Sequence, residues 1–213
     1  MAEIVPGDQA VYWSSFPESE DKKIVFIDEK NDRKKAGVTT EKIVAERRNN
    51  TDYLKRIQVM ESEEAGNINA MTIVEKDSFM PLYHEVTSNG ETTTVNYHDS
   101  YVEVNHSTKI PIKTQVFETH TVEMIIRLLP LQFGYKATLS SFHPGKEKVI
   151  TVNINVVSNE MVTRQHNELV EAWKLEVDFD GHVQYYWVGV DGNELLKQES
   201  PVSYGARMIF ERE

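Results

Sequence analysis

The chain has 213 residues, a net charge of -11 and an isoelectric point near 5.2, and it contains no cysteine. That length admits one large β-rich domain with a full core, or two small ones. The acidity speaks against a nucleic acid or an anionic membrane as partner, because Lys and Arg must supply that attraction. The missing thiol excludes disulfides, thiol catalysis and thiolate metal sites. No run approaches the roughly 18 apolar residues of a membrane span, so no transmembrane segment is expected. "MAEIVPGDQA" lacks the basic start and apolar stretch of an export signal. As written the chain reads as cytoplasmic, and as exported if a signal has been trimmed.

Alternation with period two dominates from the start. The runs "KKIVFID", "EKIVAE", "YLKRIQVME", "NAMTIVE" and "TTTVNYHDSYVEV" read as strands, and "DEKNDRKKAG" as a solvated hairpin tip or loop. "THTVEMIIRLLPLQFG" breaks the pattern: Val122, Ile125, Ile126 and Leu129 fall on one helical stripe. Thr121 is its expected N-cap and Pro130 its stop, which predicts a helix near 121–129. "YKATLSSF", "KVITVNINVV" and "ARMIFERE" return to alternation. Asn89-Gly90, Pro144-Gly145, Asp180-Gly181 and Asp191-Gly192 mark tight turns, since two-residue hairpins need positive φ. A weak internal repeat aligns "KRIQVMESEEAGNINAMTIVEKDSFMPLYHEVTS" with "WKLEVDFDGHVQYYWVGVDGNELLKQESPVS", placing Leu82 beside Leu196.

The closing hairpin poses the central question. With Asp180-Gly181 as its turn, Trp173, Leu175, Val177 and Phe179 share a face with Gln184, Tyr186, Val188 and Val190. The other face sets Lys174, Glu176 and Asp178 opposite Trp187, Tyr185 and Val183. Leaving such rings wet costs a few kcal/mol each, at ~25 cal/mol per Å2 over roughly 200 Å2. Something must cover them, and the helix carrying Ile125 and Ile126 is the expected cover.

No catalytic signature stands out, and the protein is not expected to be an enzyme. The histidines at 84, 98, 106, 120, 143, 166 and 182 show no metal-binding spacing, so no metal site is expected. His98 and His106 on one strand lie about 26 Å apart, too far for one ion. Ser141 and His143 in "ATLSSFHPGK" lack a nucleophile elbow, and "HPGKEK" is a turn rather than a phosphate loop. A hydrolase using that pair is the third-ranked reading. Paired carboxylates and the aromatics Tyr12, Trp13, Tyr83 and Tyr186 are ordinary strand-face and core material. No cofactor is expected.

"EMIIRLLPLQFGYKATLSSF", "VEKDSFMPLYHEVTSNGETTTVNYHDSYVEV" and "EAWKLEVDFDGHVQYYWVGVDGNELLKQES" together resemble a bacterial domain-of-unknown-function family whose members are mostly exported. The resemblance spans roughly residues 50 to 200. It implies a half-barrel like those of the lipoprotein-localisation factors, which carry acyl chains in a concave cavity. The expected fold is mainly β: a single large curved antiparallel sheet, a half-barrel, wrapped over a short central helix. It is read as one domain, 1–213, built from two β-meander halves (about 1–118 and 131–213) joined by the helix. The expected function is non-catalytic binding of an apolar or acyl-chain ligand, or a lipidated partner, in the concave face. Ile125, Ile126, Tyr185, Trp187, Tyr97 and Tyr101 are the expected contact residues. The alternative is a protein-interaction or structural module with a filled concavity.

Overall fold

The computed structural model describes residues 2–30, 32–62, 66–164, 168–202 and 205–213. One short edge strand and a long meander open the chain: β1 (Ala2–Ile4), then β2 (Ser19–Glu29), β3 (Asp32–Arg48), β4 (Thr51–Ser62), β5 (Ile68–Glu75), β6 (Pro81–Ser88), β7 (Glu91–Tyr97), β8 (Tyr101–Val104) and β9 (Thr108–Pro111). After the two-residue β10 (Phe117–Glu118) come a 3-10 turn (Thr119–Thr121) and α1 (Val122–Ile125). A second meander follows: β11 (Lys136–His143), β12 (Lys148–Thr163), β13 (Leu169–Phe179), β14 (Val183–Gly189), β15 (Leu195–Pro201) and β16 (Arg207–Arg212).

Among the described residues all sixteen strands join one sheet, running β1-β11-β12-β13-β14-β15-β16-β2-β3-β4-β5-β6-β7-β8-β9, with β10 off the path on β11. Neighbours within each meander are antiparallel, and the meanders meet where β16 pairs antiparallel with β2. Only β1 and β10 lie parallel to their partner. The turn chemistry explains much of this order. Asn89, Asp180 and Gly181 adopt positive φ at their hairpin tips, which short polar side chains and glycine tolerate best. Of "DEKNDRKKAG", Asp28 and Glu29 end β2 and Asp32 to Gly37 lie in β3, with Arg33 stacked over Phe26 at 3.7 Å, while Asn31 lies outside the described residues.

Leu82 and Leu196, matched in the weak repeat, occupy the same kind of place. Each is the extra residue of a bulge: Ile73 and Val74 pair with Tyr83 and Pro81, and Trp187 and Val188 pair with Lys197 and Leu195. A third bulge puts Ala36 between the Val25–Gly37 and Phe26–Lys35 pairs. There a Cβ on Gly37 would run into the Glu61 carbonyl of β4, so only glycine fits.

The main apolar cluster packs Val122, Met124, Ile125 and Ile126 against Ile154, Val156, Leu175, Val177 and Val188, together with Trp13, Phe16 and Phe79. Ile43, Leu54 and Val74 of the first meander complete it. Val95, Val102, Val104, Val116 and Phe142 form a second cluster, and Ala172, Trp187 and Leu196 a third.

Three expectations are corrected here. The helix spans only four residues, because Arg127 and Leu128 already close 3-10-type bonds to Met124 and Ile125 ahead of Pro130. The sheet runs open from β1 to β9 and is not curled into a half-barrel. Nor does it present a concave ligand-binding face. The physical reasons are local. A single helical turn has too little surface to act as a plug with a gap beside it, and its apolar side chains are already enclosed among their neighbours. Trp187 belongs to a different cluster from Ile126, so the helix does not cover it. No helix among the described residues is long and apolar enough to cross a membrane.

Candidate metal centre

The hairpin register is the one the alternation implies: Lys174 faces Trp187, Glu176 faces Tyr185 and Leu175 faces Tyr186. The cover on Trp187 is made of lysine stems rather than helix. Lys174 and Lys197 sit 5.0 and 4.5 Å from its ring, and its indole N–H donates to Glu160 at 3.0 Å. Tyr185 stands beside it, under Lys174 and bonded to Glu176. The six expected contact residues therefore separate. Ile125 and Ile126 are in the main cluster, and Tyr185 and Trp187 pack in the third. Tyr97 packs on the second, while Tyr101 stacks on His98 at 4.3 Å. No cavity gathers them.

What the structure does gather is polar. Thr72 and His84 are cross-strand partners on β5 and β6, and Thr72 Oγ1 lies 2.9 Å from His84 Nδ1. With the proton on Nδ1 donated to Thr72, His84 Nε2 presents a lone pair. That nitrogen is enclosed and has no hydrogen-bond partner, and His84 is 0% exposed. The His120 ring stacks on His84 with centroids 4.4 Å apart. Glu118 completes the group: one donor atom each from His84, Glu118 and His120 lie within 4.8 Å of one another.

Local chain geometry sets the last two. Glu118 caps the 3-10 turn, its Oε1 accepting from the His120 N–H at 3.2 Å and the Thr119 hydroxyl at 3.1 Å. The Tyr97 hydroxyl donates to its other oxygen. The Thr119 backbone N–H adds a further bond, so the roughly four acceptor directions of the carboxylate are engaged and a cation would have to displace one of these donors. Beneath the turn, Arg56 of β4 is 2% exposed and donates to the His120 carbonyl, to Glu123, and to Glu41 at 2.6 Å. Two carboxylates around this guanidinium offset its charge, while Lys23 and Arg127 also act on Glu41.

Protonation follows from the enclosure. Burial, then His120 and Arg56, hold His84 down at about 2. The atoms crowded around its ring, with Arg56 next, lower His120 to about 4, although the residue as a whole is exposed. Both rings are thus neutral and able to ligate at physiological pH. Burial pushes Glu118 up to about 8 against the bonds it accepts, so a cation binding there displaces a proton. Glu41 goes the other way: burial opposes its charge, but Arg56 and Lys23 outweigh it and hold the carboxyl at about 2.

Two nitrogens and one carboxylate form a donor set suited to zinc and its first-row neighbours. Bonds of about 2.0–2.2 Å require donors roughly 3–3.5 Å apart, so donors that lie within 4.8 Å of one another would have to draw together by up to about 1–2 Å to hold an ion. The spacing rules that excluded a metal compare residues along one element, whereas these ligands come from β6 and from a turn 34 residues later. The available signal was a histidine in a buried strand position paired across from a threonine. Of the remaining histidines, His98 and His106 stand apart on the rim, and His166 lies outside the described residues. Ser141 of the third-ranked reading is 0% exposed and spends its hydroxyl on the Phe117 carbonyl at 3.1 Å.

A solved structure with a similar fold is entitled a beta-barrel-like protein of domain of unknown function DUF1849 from Brucella abortus. It shares 10% sequence identity at a TM-score of 0.52, with 100% of this chain and 98% of that one covered. The likeness concerns the fold alone, and it replaces the expected kinship with lipoprotein-localisation factors. No curated protein matches the chain. Residues 27–211 match the family described as "Protein of unknown function (DUF3108)", and with nearly its whole length matched the chain belongs to that family.

Proposed function

We propose that this protein is a non-catalytic metal-binding protein that takes a divalent first-row transition-metal ion between His84, Glu118 and His120. The observation that carries this reading is the enclosed, unpartnered Nε2 of His84, on a residue that brings one donor atom within 4.8 Å of one each from Glu118 and His120. An isolated buried polar atom of this kind costs about 1–3 kcal/mol, and a metal bond removes that cost. The ion would tie the 3-10 turn to β6, so binding would be felt as stability.

Chelator-treated protein titrated with Co2+ should develop the absorption of a low-symmetry cobalt site at one equivalent. At a hundredfold excess over Kd, mass action adds about 2.7 kcal/mol, which at this size raises Tm by roughly 5–11 °C. His84→Ala and Glu118→Gln should each abolish the spectrum and the shift. Folded wild-type protein that shows neither would leave the cluster as a hydrogen-bonded brace and end the metal reading.

A further inference from the structure

The first meander encloses a charge that the metal reading does not use. Lys23 of β2 is 5% exposed, and its ammonium has neither a hydrogen bond nor an ion pair among the described residues. The acids nearest to it in register are taken, Asp21 by Arg212 and Glu41 by Arg56. Arg212 is itself the cross-strand partner of Lys23 on β16, so two cations stand side by side. An enclosed ammonium in that setting is costly unless an anion or water meets it. Lys23 lines a cavity of about 150 Å3. Part of the lining is one cross-strand row, Lys23, Thr39, Met60 and Ile68, on four successive strands. With neighbouring strands about 4.8 Å apart, that row passes from charged to apolar within roughly 10 Å. Gln58 lies beside it, and neither its amide nor the Thr39 hydroxyl has a hydrogen-bond partner among the described residues. Glu123 also lines the space, with its carboxylate on Arg56.

We infer that this cavity binds a small organic monocarboxylate, with its carboxylate on Lys23, Thr39 and Gln58 and its short apolar part against Met60 and Ile68. The site stands apart from the metal reading of His84, Glu118 and His120 and does not depend on it. An ammonium, a hydroxyl and an amide together offer more than enough donors for the roughly four acceptor directions of a carboxylate, and the bonds from the ammonium are charge-assisted. One unpaired cation matches one negative charge. A phosphate dianion would bring a second charge close to Glu41 and Glu123, which nothing in the lining offsets. Size narrows the class further: a void of this volume holds about one benzene-sized molecule, which admits an acid of about three or four carbons and excludes a long acyl chain.

Metal-free protein is titrated with sodium propionate by calorimetry at constant ionic strength, with propionamide and inorganic phosphate as comparison ligands. Propionate should bind at one equivalent, and the other two should not. Lys23→Met keeps most of the side-chain length without the charge. It should weaken binding by at least about thirtyfold, the lower end of the loss when one member of a buried charge pair is removed. If that variant does not fold, Thr39→Val removes one donor at nearly constant shape and should weaken binding by about tenfold. No propionate binding to folded wild-type protein would mean that water alone meets the ammonium, and the proposal falls. It falls equally if propionamide binds as tightly, if phosphate binds in place of propionate, or if Lys23→Met keeps full affinity. A cobalt spectrum without propionate binding ends this proposal and leaves the metal centre, whereas propionate binding without the spectrum does the reverse.

Discussion

Arg56→Met probes how the enclosed charges are held. The arginine lies between Glu41 and Glu123 with side-chain exposures of 2%, 7% and 19%, so it is the partner that makes Glu41 tolerable in the interior. Removing one member of such a group strands the other, a loss of about 3–5 kcal/mol. At about 2–4 °C per kcal/mol for a chain of this size, Tm should fall by roughly 6–20 °C. The pH dependence adds a signature that simple loss of packing lacks. Glu41 titrates at about 2 when folded against an ordinary carboxyl value of 4.5, so it contributes stability above 4.5 that is lost as pH falls toward 2. In the variant, burial loses its main opponent, the folded value climbs, and that contribution disappears. The gap between wild type and variant should therefore be widest near neutrality and narrow below pH 4.5. Urea unfolding at several pH values, with unchanged m, measures it. A cost below about 1 kcal/mol, the worth of a surface pair, or a gap that stays constant down to pH 3, would refute the reasoning.

Gly37→Ala should cost about 1–3 kcal/mol, because the added methyl forces β3 and β4 apart at the Ala36 bulge; denaturant titration reads it. Trp187→Ala should cost about 3–5 kcal/mol, as a ring 4% exposed is lost from its own cluster. It should leave the cobalt spectrum untouched. Ile126→Ala should cost about 2–5 kcal/mol, since Ile126 is 0% exposed in the main cluster. Tyr101→Ala should cost no more than about 1.5 kcal/mol, the scale of one ring stack, because Tyr101 sits on the rim against His98 and Lys109. Thermal melts of the two variants side by side check that ordering.

The pairings within hairpins were legible because local chemistry dictates them. Asp180-Gly181 sets the β13–β14 register, and alternation then assigns Lys174 and Trp187 to one face. The helical stripe was visible too, but its length depended on how early the backbone tightened before Pro130. A period of two tells which side of a strand is apolar and carries no measure of how far the sheet bends, so the half-barrel did not follow from it. Nor does alternation reveal that lysine stems, rather than another element, shield Trp187. The grouping of His84, Glu118 and His120 was least legible of all. Their meeting depends on β10 returning to β11 near β6, and on Arg56 drawing the His120 carbonyl and Glu123 toward β4.

The sheet's width conceals how little of it is free to grow. Its two rims are β1, with three residues, and β9, with four and a closing proline. An incoming strand would find too few open backbone donors and acceptors to zip against, and Pro111 withholds one more. Thirteen interior strands are thus fenced from templated stacking by the brevity of the outermost pair.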